Sequence, residues 1–181
     1  MNNLQTKKIS KFLSLVLRHN PGKIGITLDK QGWTDLEVLI PKVARRFKGF
    51  NMAVLEEVVK ENNKKRFSFN PDKTKIRASQ GHSVKVDLDY KPQIPPRILY
   101  HGTVEKNMAA IHKTGLQKMR RHAVHLSQDT GTALNVGSRY GKAILLEVRA
   151  AEMDSKGHEF YRSDNGVWLV DQVPPEFIKF P

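Results

Sequence analysis

Cysteine is absent from this chain of 181 residues. Its absence excludes disulfide bonds, thiol nucleophiles and zinc sites built on thiolates. No apolar run approaches the roughly 20 residues that a membrane-spanning helix needs, and the first residues do not follow the pattern of a secretory leader. We therefore expect a soluble, cytoplasmic protein with no membrane partner.

Two common nucleotide-binding motifs are also missing. No predicted strand is followed by Gly-x-Gly-x-x-Gly, and no glycine-rich loop ends in Gly-Lys-Ser or Gly-Lys-Thr. No clustered acidic site is present, and His122 and His125, three positions apart on a predicted strand, face opposite sides. The sequence predicts no metal site.

The chain contains many more basic than acidic residues. It has 31 Lys and Arg residues against 18 Asp and Glu residues, a net charge of +13. The excess is larger in the first half, with 18 basic and 9 acidic residues before position 90 and 13 and 9 after it. Such a charge favours a polyanionic partner, which could be nucleic acid, an anionic membrane or a phosphorylated cofactor.

Three prolines between positions 92 and 96 divide the chain. Proline fixes φ, removes an amide donor and favours an extended conformation in the residue before it. We interpret residues 91–97 as a stiff linker between a domain at 1–90 and a domain at 98–181. No heptad pattern indicates a coiled-coil partner, and we expect a monomer.

Helical periodicity begins the first domain. Apolar residues recur at the i, i+3, i+4, i+7 spacing that marks one face of a helix. These residues are Ile9, Phe12, Leu13, Val16 and Leu17, and the helix should end near Arg18. A short strand is predicted at 26–28. Thr34 and Glu37 fit a capping box at the start of a second helix, and Pro41 should kink or interrupt that helix.

A third helix and a hairpin complete this domain. Asn51 can cap a helix that ends near Asn62 and Asn63, and its apolar face is formed by Met52, Leu55, Val58 and Val59. Strands at 66–69 and 74–77 flank a turn at 70–73. Three helices followed by a basic hairpin suggest a winged-helix domain, whose lysines could position a phosphate backbone.

The second domain is predicted to be α+β. Strands are expected at 98–100 and 123–126, with a helix over 104–114 that Gly115 ends. The apolar run 143–148 is typical of a central strand covered on both faces. Residues 160–162 and 167–170 should form a hairpin around an Asn-Gly turn, and a last strand is expected at 177–180.

Polar residues cluster at the ends of these elements in four stretches. Each alone is a weak signal, since a helix-terminal Arg-His pair can simply complement the helix dipole. Together they are unusual: residues 17–21, 76–83, 100–103 and 122–127.

These stretches, together with 136–141 and 165–169, resemble the RNA 2′-phosphotransferase family over nearly the whole chain. The resemblance implies an α+β protein in which an N-terminal winged-helix-like domain precedes a C-terminal ADP-ribosyltransferase-like domain with a mixed sheet. It implies a reaction in which an RNA 2′-phosphate attacks the nicotinamide-bearing ribose of NAD. Nicotinamide leaves, and the neighbouring 2″-hydroxyl of the attached ribose then attacks phosphorus to release 2′-hydroxyl RNA and ADP-ribose 1″,2″-cyclic phosphate.

The resemblance also assigns catalytic residues. Arg18, Arg77 and Arg139 match the catalytic arginines, and His19 accompanies them. A phosphate dianion is already a nucleophile, so cations that hold it matter more than a base, and guanidinium groups bind phosphate oxygens in pairs. Arg121 lies beside the His-x-x-His-Leu-Ser motif and is the alternative to Arg139 for the last arginine.

The remaining residues are implied to bind the two substrates. The NAD site would comprise His101, Gly102, Thr103, His125, Ser127 and Val167, and the RNA phosphate would contact Ser79, Gln80, His82 and Arg121. Many ADP-ribosyltransferases carry a glutamate on a late strand, where this chain has Val167. That departure suits the second step, because a carboxylate would anchor the attacking 2″-hydroxyl.

Two other functions stay open on the sequence. The chain could be an ADP-ribosyltransferase that acts on a nucleic-acid end or a protein and stops after the first step. It could instead be a winged-helix nucleic-acid-binding protein with an inert second domain. The sequence does not identify which RNA is used in the cell.

Overall fold

Helices and short antiparallel strands alternate along the chain in the computed structural model, which describes residues 3–62 and 65–181. The composition is mixed α and β, as expected. Contacts divide the chain into two units, Met1–Asp89 and Tyr90–Pro181. Among the described residues, no helix combines the length and apolar character needed to span a membrane.

In the described part of the first unit, three helices and a small sheet pack around one core. Its sheet is antiparallel with the order β1-β3-β2. The helices are α1 (Asn3–Arg18), α2 (Leu36–Ala44) and α3 (Met52–Lys60), and the strands are β1 (Thr34–Asp35), β2 (Phe67–Phe69) and β3 (Lys75–Ala78).

Local patterns predicted α1, α3 and the hairpin correctly. All five apolar residues predicted for the face of α1 are buried. The Asn51 side-chain oxygen accepts the Val54 amide at 3.1 Å, so it caps α3 as expected. Strands β2 and β3 pair around the predicted turn. Asn63 and Lys64, near the predicted helix end and hairpin start, lie outside the described residues.

Two predictions for the first unit were wrong, and a third was wrong in part. Residues 26–28 are not a strand: Ile26 is buried, but its amide donates to the carbonyl of Pro21 in the 3-10 turn Pro21–Ile24. The capping box does not form, because Thr34 pairs with β3 and the Leu36 amide donates to the carbonyl of Thr74. Pro41 does not interrupt α2, which continues to Ala44.

The second unit has three helices and three small sheets among its described residues. The sheets have the orders β11-β7-β4, β6-β9-β8 and β10-β5. The helices are α4 (Glu105–Thr114), α5 (Thr130–Gly137) and α6 (Ala150–Ser155). The strands are β4 (Leu99–Val104), β5 (Leu116–Gln117), β6 (Val124–Leu126), β7 (Ala143–Val148), β8 (Tyr161–Arg162), β9 (Trp168–Val170), β10 (Gln172–Val173) and β11 (Ile178–Lys179).

Pairing in this unit confirms some expectations and corrects others. Strand β7 lies between β4 and β11, which confirms its central place, although only Leu146 and Val148 are fully buried. The 160–170 hairpin forms, with Gly166 at φ +80°. Every pair of described strands is antiparallel, so the mixed sheet is not found. Strand β4 runs four residues past the predicted end because it pairs with β7 throughout.

The start of the predicted linker pairs with the second unit. Pro92 forms an isolated bridge with Tyr161, and the Gln93 amide donates to the carbonyl of Phe160 at 2.7 Å. Residues 92 and 93 therefore extend one edge of this unit.

Strand β4 and helix α5 touch backbone to backbone. A Cβ atom added to Gly102 would lie 1.8 Å from the carbonyl oxygen of Ala133, and one added to Gly137 would lie 2.9 Å from the carbonyl carbon of Gly102. No real side chain fits at such distances. Glycine at both positions therefore allows the helix to lie directly on the strand.

Replacing Gly102 with alanine should force β4 and α5 apart. We expect Gly102→Ala to lower the free energy of unfolding by about 3 kcal/mol or more, the upper range for overpacking, because the clash is with backbone. Chemical denaturation would measure the change. The matched control is Gly131→Ala in α5, where the added Cβ meets only a side-chain oxygen at 3.4 Å. That variant should be neutral or up to about 1 kcal/mol more stable. Equal stability of the two variants would contradict the backbone contact.

Candidate active site

The residues singled out in the sequence form one group in each unit. In the first unit they surround the C-terminal end of α1 and the segment that follows β3. In the second, His101, Arg121 and His125 line a cavity beside β4 and β6, and the others lie outside its lining.

The segment after β3 is tied to the end of α1. The carbonyl of Arg18, the last residue of the helix, accepts the amides of Ser83 at 2.9 Å and Val84 at 3.3 Å. His19 Nδ1 and Ser83 Oγ share a hydrogen bond of 2.9 Å. A helix end leaves carbonyls without partners in the helix, and here a distant segment supplies the donors. The Arg18 guanidinium itself donates to the carbonyl of Arg66 at 3.4 Å.

Arg77 is held from two sides. Its guanidinium carbon lies 4.5 Å from the centre of the Trp33 ring, which is cation–π geometry. Its Nη1 donates to the carbonyl of Leu88 at 3.2 Å. The arginine is half-buried on β3, and these two neutral groups hold its position.

Two residues predicted to contact RNA have their side chains inside the first unit. Ser79 is fully buried, and its hydroxyl donates to the carbonyl of Lys65 at 3.0 Å. His82 is 1% exposed. Their burial differs from the predicted direct RNA contact, and it makes them part of the frame under the segment that follows β3. Gln80, between them, is half-buried.

In the second unit, β4 and β6 bring two histidines together. Tyr100 and Ser127 exchange backbone hydrogen bonds of 2.8 and 2.9 Å. His101 Nδ1 lies 3.0 Å from the carbonyl oxygen of His125. The structure therefore joins the Tyr100–Thr103 stretch to the His-x-x-His-Leu-Ser stretch, as the sequence clusters suggested.

The hydrogen bond of His101 fixes its tautomer. A carbonyl oxygen only accepts, so the proton of the neutral ring is on Nδ1 and Nε2 carries a lone pair. Burial lowers the pKa of His101 below its usual value, the bond to the His125 carbonyl opposes that shift, and the positive charge of Arg121 lowers the pKa further. At neutral pH this residue is an uncharged hydrogen-bond acceptor.

Arg121 orients the second histidine. Its Nη1 lies 3.1 Å from Nδ1 of His125. Because a guanidinium only donates, Nδ1 of His125 must accept and its proton is on Nε2. The two histidines thus have opposite tautomers.

The cavity beside these histidines has a volume of about 420 Å³. Small-molecule sites occupy about 300–1,000 Å³, so it can hold a sizeable part of a nucleotide. Three cations line it, which suits an anionic ligand. The full lining is His101, Leu116, Gln117, Lys118, Met119, Arg120, Arg121, Ala123, Val124 and His125.

The other predicted NAD-binding residues have different surroundings. Gly102 lies against α5, and Thr103 is buried with its hydroxyl accepting from Asn107 at 3.3 Å. Val167 lies just before β9, and its amide donates to the Ser163 hydroxyl. The described residues that line the cavity do not include Gly102, Thr103, Val167 or Ser127.

Arg139 differs from Arg121 in its setting. It is exposed in the 3-10 turn Ser138–Tyr140 that follows α5, and it does not line the cavity. The sequence left these two arginines as alternatives. Arg121 lines the cavity and contacts His125, whereas Arg139 is exposed outside the lining of the cavity.

Sequence reasoning missed several residues that the structure adds. Lys118 and Arg120 form a basic run with Arg121, and that run beside the histidine motif was a visible signal. Trp33 carried no signal, because its partner Arg77 is 44 positions away in the sequence. Ser83 lies in the polar stretch 76–83, but its pairing with His19, 64 positions away, could not be predicted from that stretch.

Comparison with known proteins gives a consistent result over the whole chain. The model of the RNA 2′-phosphotransferase, Tpt1 / KptA family matches residues 4–172. A probable RNA 2′-phosphotransferase of Flavobacterium johnsoniae is 53% identical over 180 residues, which is 99% of each chain. One from Fusobacterium nucleatum is 51% identical over 174 residues, 96% of this chain and 97% of the relative. One from Burkholderia pseudomallei is 52% identical over 174 residues, which is 96% of this chain and 95% of the relative.

The family model spans both units and includes all the predicted site residues, which lie between Arg18 and Val167. The chain belongs to the RNA 2′-phosphotransferase, Tpt1 / KptA family.

Proposed function

We propose that the chain removes an internal 2′-phosphate from RNA, of the kind left at a tRNA splice junction, by transferring it to NAD. The products are 2′-hydroxyl RNA, nicotinamide and ADP-ribose 1″,2″-cyclic phosphate, formed by way of an ADP-ribosylated RNA. The observation that carries the proposal is 53% identity over 99% of both chains with a relative named as a probable RNA 2′-phosphotransferase. Both units support it with suitable chemistry.

The first unit supplies cations for the phosphate. Arg18 and Arg77 stay charged at any working pH and can each bind two phosphate oxygens. Both are half-buried, and backbone carbonyls and an aromatic ring hold them in position. Charges fixed before the substrate arrives need no reorganisation when negative charge moves during phosphoryl transfer. His19, tied to Ser83 at the same helix end, would add a donor or acceptor there.

The second unit supplies a cavity that fits part of NAD. Arg120 and Arg121 suit a diphosphate, whereas Lys118 pairs with Asp171. The neutral ring of His101 suits a ribose hydroxyl or a carboxamide N–H donor. When bound, NAD would supply a ribose carbon that loses nicotinamide to an attacking phosphate. Because Arg121 holds His125, we assign the role of third phosphate-binding arginine to Arg139.

The direct test is to incubate the purified protein with an RNA bearing an internal 2′-phosphate, with and without NAD, in the presence of EDTA. Mass spectrometry should show NAD-dependent loss of the phosphate and formation of the cyclic phosphate without any metal. A stable ADP-ribosylated RNA would instead indicate an ADP-ribosyltransferase that stops after the first step. Unchanged RNA would contradict the proposal.

Val167→Glu tests the role given to Val167 in the second step. In the same assay, this variant should accumulate ADP-ribosylated RNA, because a carboxylate would anchor the attacking 2″-hydroxyl. Full dephosphorylation by the variant would refute the role given to this residue.

Arg18→Lys separates charge from geometry. Lysine keeps the positive charge but loses the planar fork, so kcat should fall at least about a hundredfold, or about 2.7 kcal/mol in the barrier. Steady-state kinetics with saturating NAD would measure it. The matched control is Arg45→Lys, at an exposed position after α2, which should keep the parent kcat. A loss of less than tenfold in Arg18→Lys would argue against paired contacts to the phosphate.

The neutral state of His101 can be tested by NMR titration of its Cε1–H signal. Its midpoint should lie below 6.5, because burial and Arg121 lower the pKa. As the pH falls through that midpoint, Nε2 gains a proton and can no longer accept from a ligand. Arg121→Gln should raise the midpoint, since it removes a positive charge, whereas Arg120→Gln should leave it in place. A midpoint at or above 6.5 in the parent protein would contradict the assignment.

A further inference from the structure

One face of α1 carries a row of cations that ends at Arg18. Lys7, Lys11 and Arg18 follow one another at i, i+4 and i+11, which places them within an arc of about 40° on a regular helix. The rise per residue puts Lys11 about 6 Å from Lys7 along the axis and Arg18 about 10.5 Å further. The first of these steps is similar to the distance between neighbouring phosphates of a nucleic-acid strand.

Nothing large interrupts this row. Ser14 lies on the same face between Lys11 and Arg18, and its short side chain donates to the carbonyl of Ser10 within the helix. Lys8, in contrast, lies about 100° around the helix from Lys7. Lys7, Lys8 and Lys11 are all exposed.

The charges of Lys7 and Lys11 are not neutralised within the described part of the chain. Helix α1 contains no acidic residue, and neither Lys7 nor Lys11 forms an ion pair or hydrogen bond with a described residue. Hairpin lysines of the same unit do have such partners, since Lys73 pairs with Glu56 and Lys75 with Asp29 and Asp35. Like charges at i and i+4 destabilise a helix, so Lys7 and Lys11 cost stability where they are.

We propose that Lys7 and Lys11 form a track that binds the phosphodiester backbone of the RNA strand flanking the nucleotide whose 2′-phosphate is held by Arg18. The assignment of Arg18 rests on the proposed function. The track contacts phosphates only, so it binds without regard to base sequence. It makes a longer RNA bind more tightly than the modified nucleotide alone.

An RNA strand suits this row better than an anionic membrane does. Helices that bind a membrane surface place an apolar face into the lipid. The apolar face of α1 is instead buried in the core of the first unit, through Ile9, Leu13, Val16 and Leu17. The helix therefore offers charge without an apolar surface.

The track can be tested by RNA binding, without reference to catalysis. The variant is Lys7→Gln with Lys11→Gln, because glutamine removes the charge and has a similar helix propensity. The probe is a fluorescent single-stranded RNA that lacks a 2′-phosphate, measured by anisotropy over a range of salt concentrations. The dissociation constant should rise about tenfold, and the slope of its logarithm against log salt should fall by about 1.4, since each single-strand phosphate contact contributes about 0.7.

Two controls make the result specific. Lys8→Gln removes one exposed charge from the same helix but lies off the row, and it should keep the parent slope. The midpoint of thermal unfolding of the double variant should be unchanged or higher, because a like-charge pair has been removed. The track would be refuted by a double variant with the parent slope. It would equally be refuted if Lys8→Gln lowered the salt slope by half as much as the double variant, since it removes half as many charges. Binding of the protein to anionic phosphatidylserine vesicles and not to RNA would also refute it.

A second assay separates the track from the proposed function. For the double variant, the KM for a long 2′-phosphorylated RNA should rise at least about five times more than the KM for a 2′-phosphorylated dinucleotide, in line with the loss of two phosphate contacts. Equal rises would overturn the track. If the parent protein removes no phosphate from either RNA, the proposed function fails, and the binding contrast between the variants still decides the track.

Discussion

The second unit depends on the direct contact between the backbones of β4 and α5. It exists because Gly102 and Gly137 have no side chains, and an added methyl group at Gly102 would overlap the carbonyl of Ala133. Successive residues of a strand point to opposite faces. With Gly102 turned towards α5, His101 is turned away from it, to the side where β6 supplies the carbonyl of His125. The contact of Gly102 with α5 therefore determines which face of β4 carries the His101 side chain.

A comparable constraint operates in the first unit at the end of α1. The carbonyl of Arg18 needs partners that the helix cannot supply, and the amides of Ser83 and Val84 provide them. This contact holds the segment after β3 against the helix, with Ser79 and His82 buried beneath it. Arg18 thus has two roles at the end of α1. Its backbone carbonyl binds the segment after β3, and its side chain places a guanidinium at the same end of the helix.

The sequence predicted what local patterns determine. The apolar spacing in α1, the Asn51 cap of α3, the turn before Lys75 and the Asn-Gly turn before Trp168 were all readable, and the structure contains each of them. The errors arose where a distant segment decides. The amide of Leu36 bonds to Thr74, which replaces the expected capping box, and Ile26 is buried without joining a strand. Likewise, the polar clusters indicated which residues belong together, but the tautomers of His101 and His125 depend on contacts that the sequence does not contain.

The positive charge of the chain serves different purposes in different places. On β3 and at the end of α1, arginines are fixed by carbonyls and an aromatic ring, which suits a defined phosphate. Along α1, lysines without described partners suit a backbone that varies in sequence. Beside β6, burial does most to favour the neutral form of His101 by lowering its pKa, and the charge of Arg121 adds to that effect. The Arg121 guanidinium also fixes the acceptor atom of His125. That cavity combines cations with a neutral acceptor, so a ligand that uses both must bring negative charge and a hydrogen-bond donor. A nucleotide with free ribose hydroxyls meets both requirements, whereas an uncharged sugar brings only the hydrogen-bond donor.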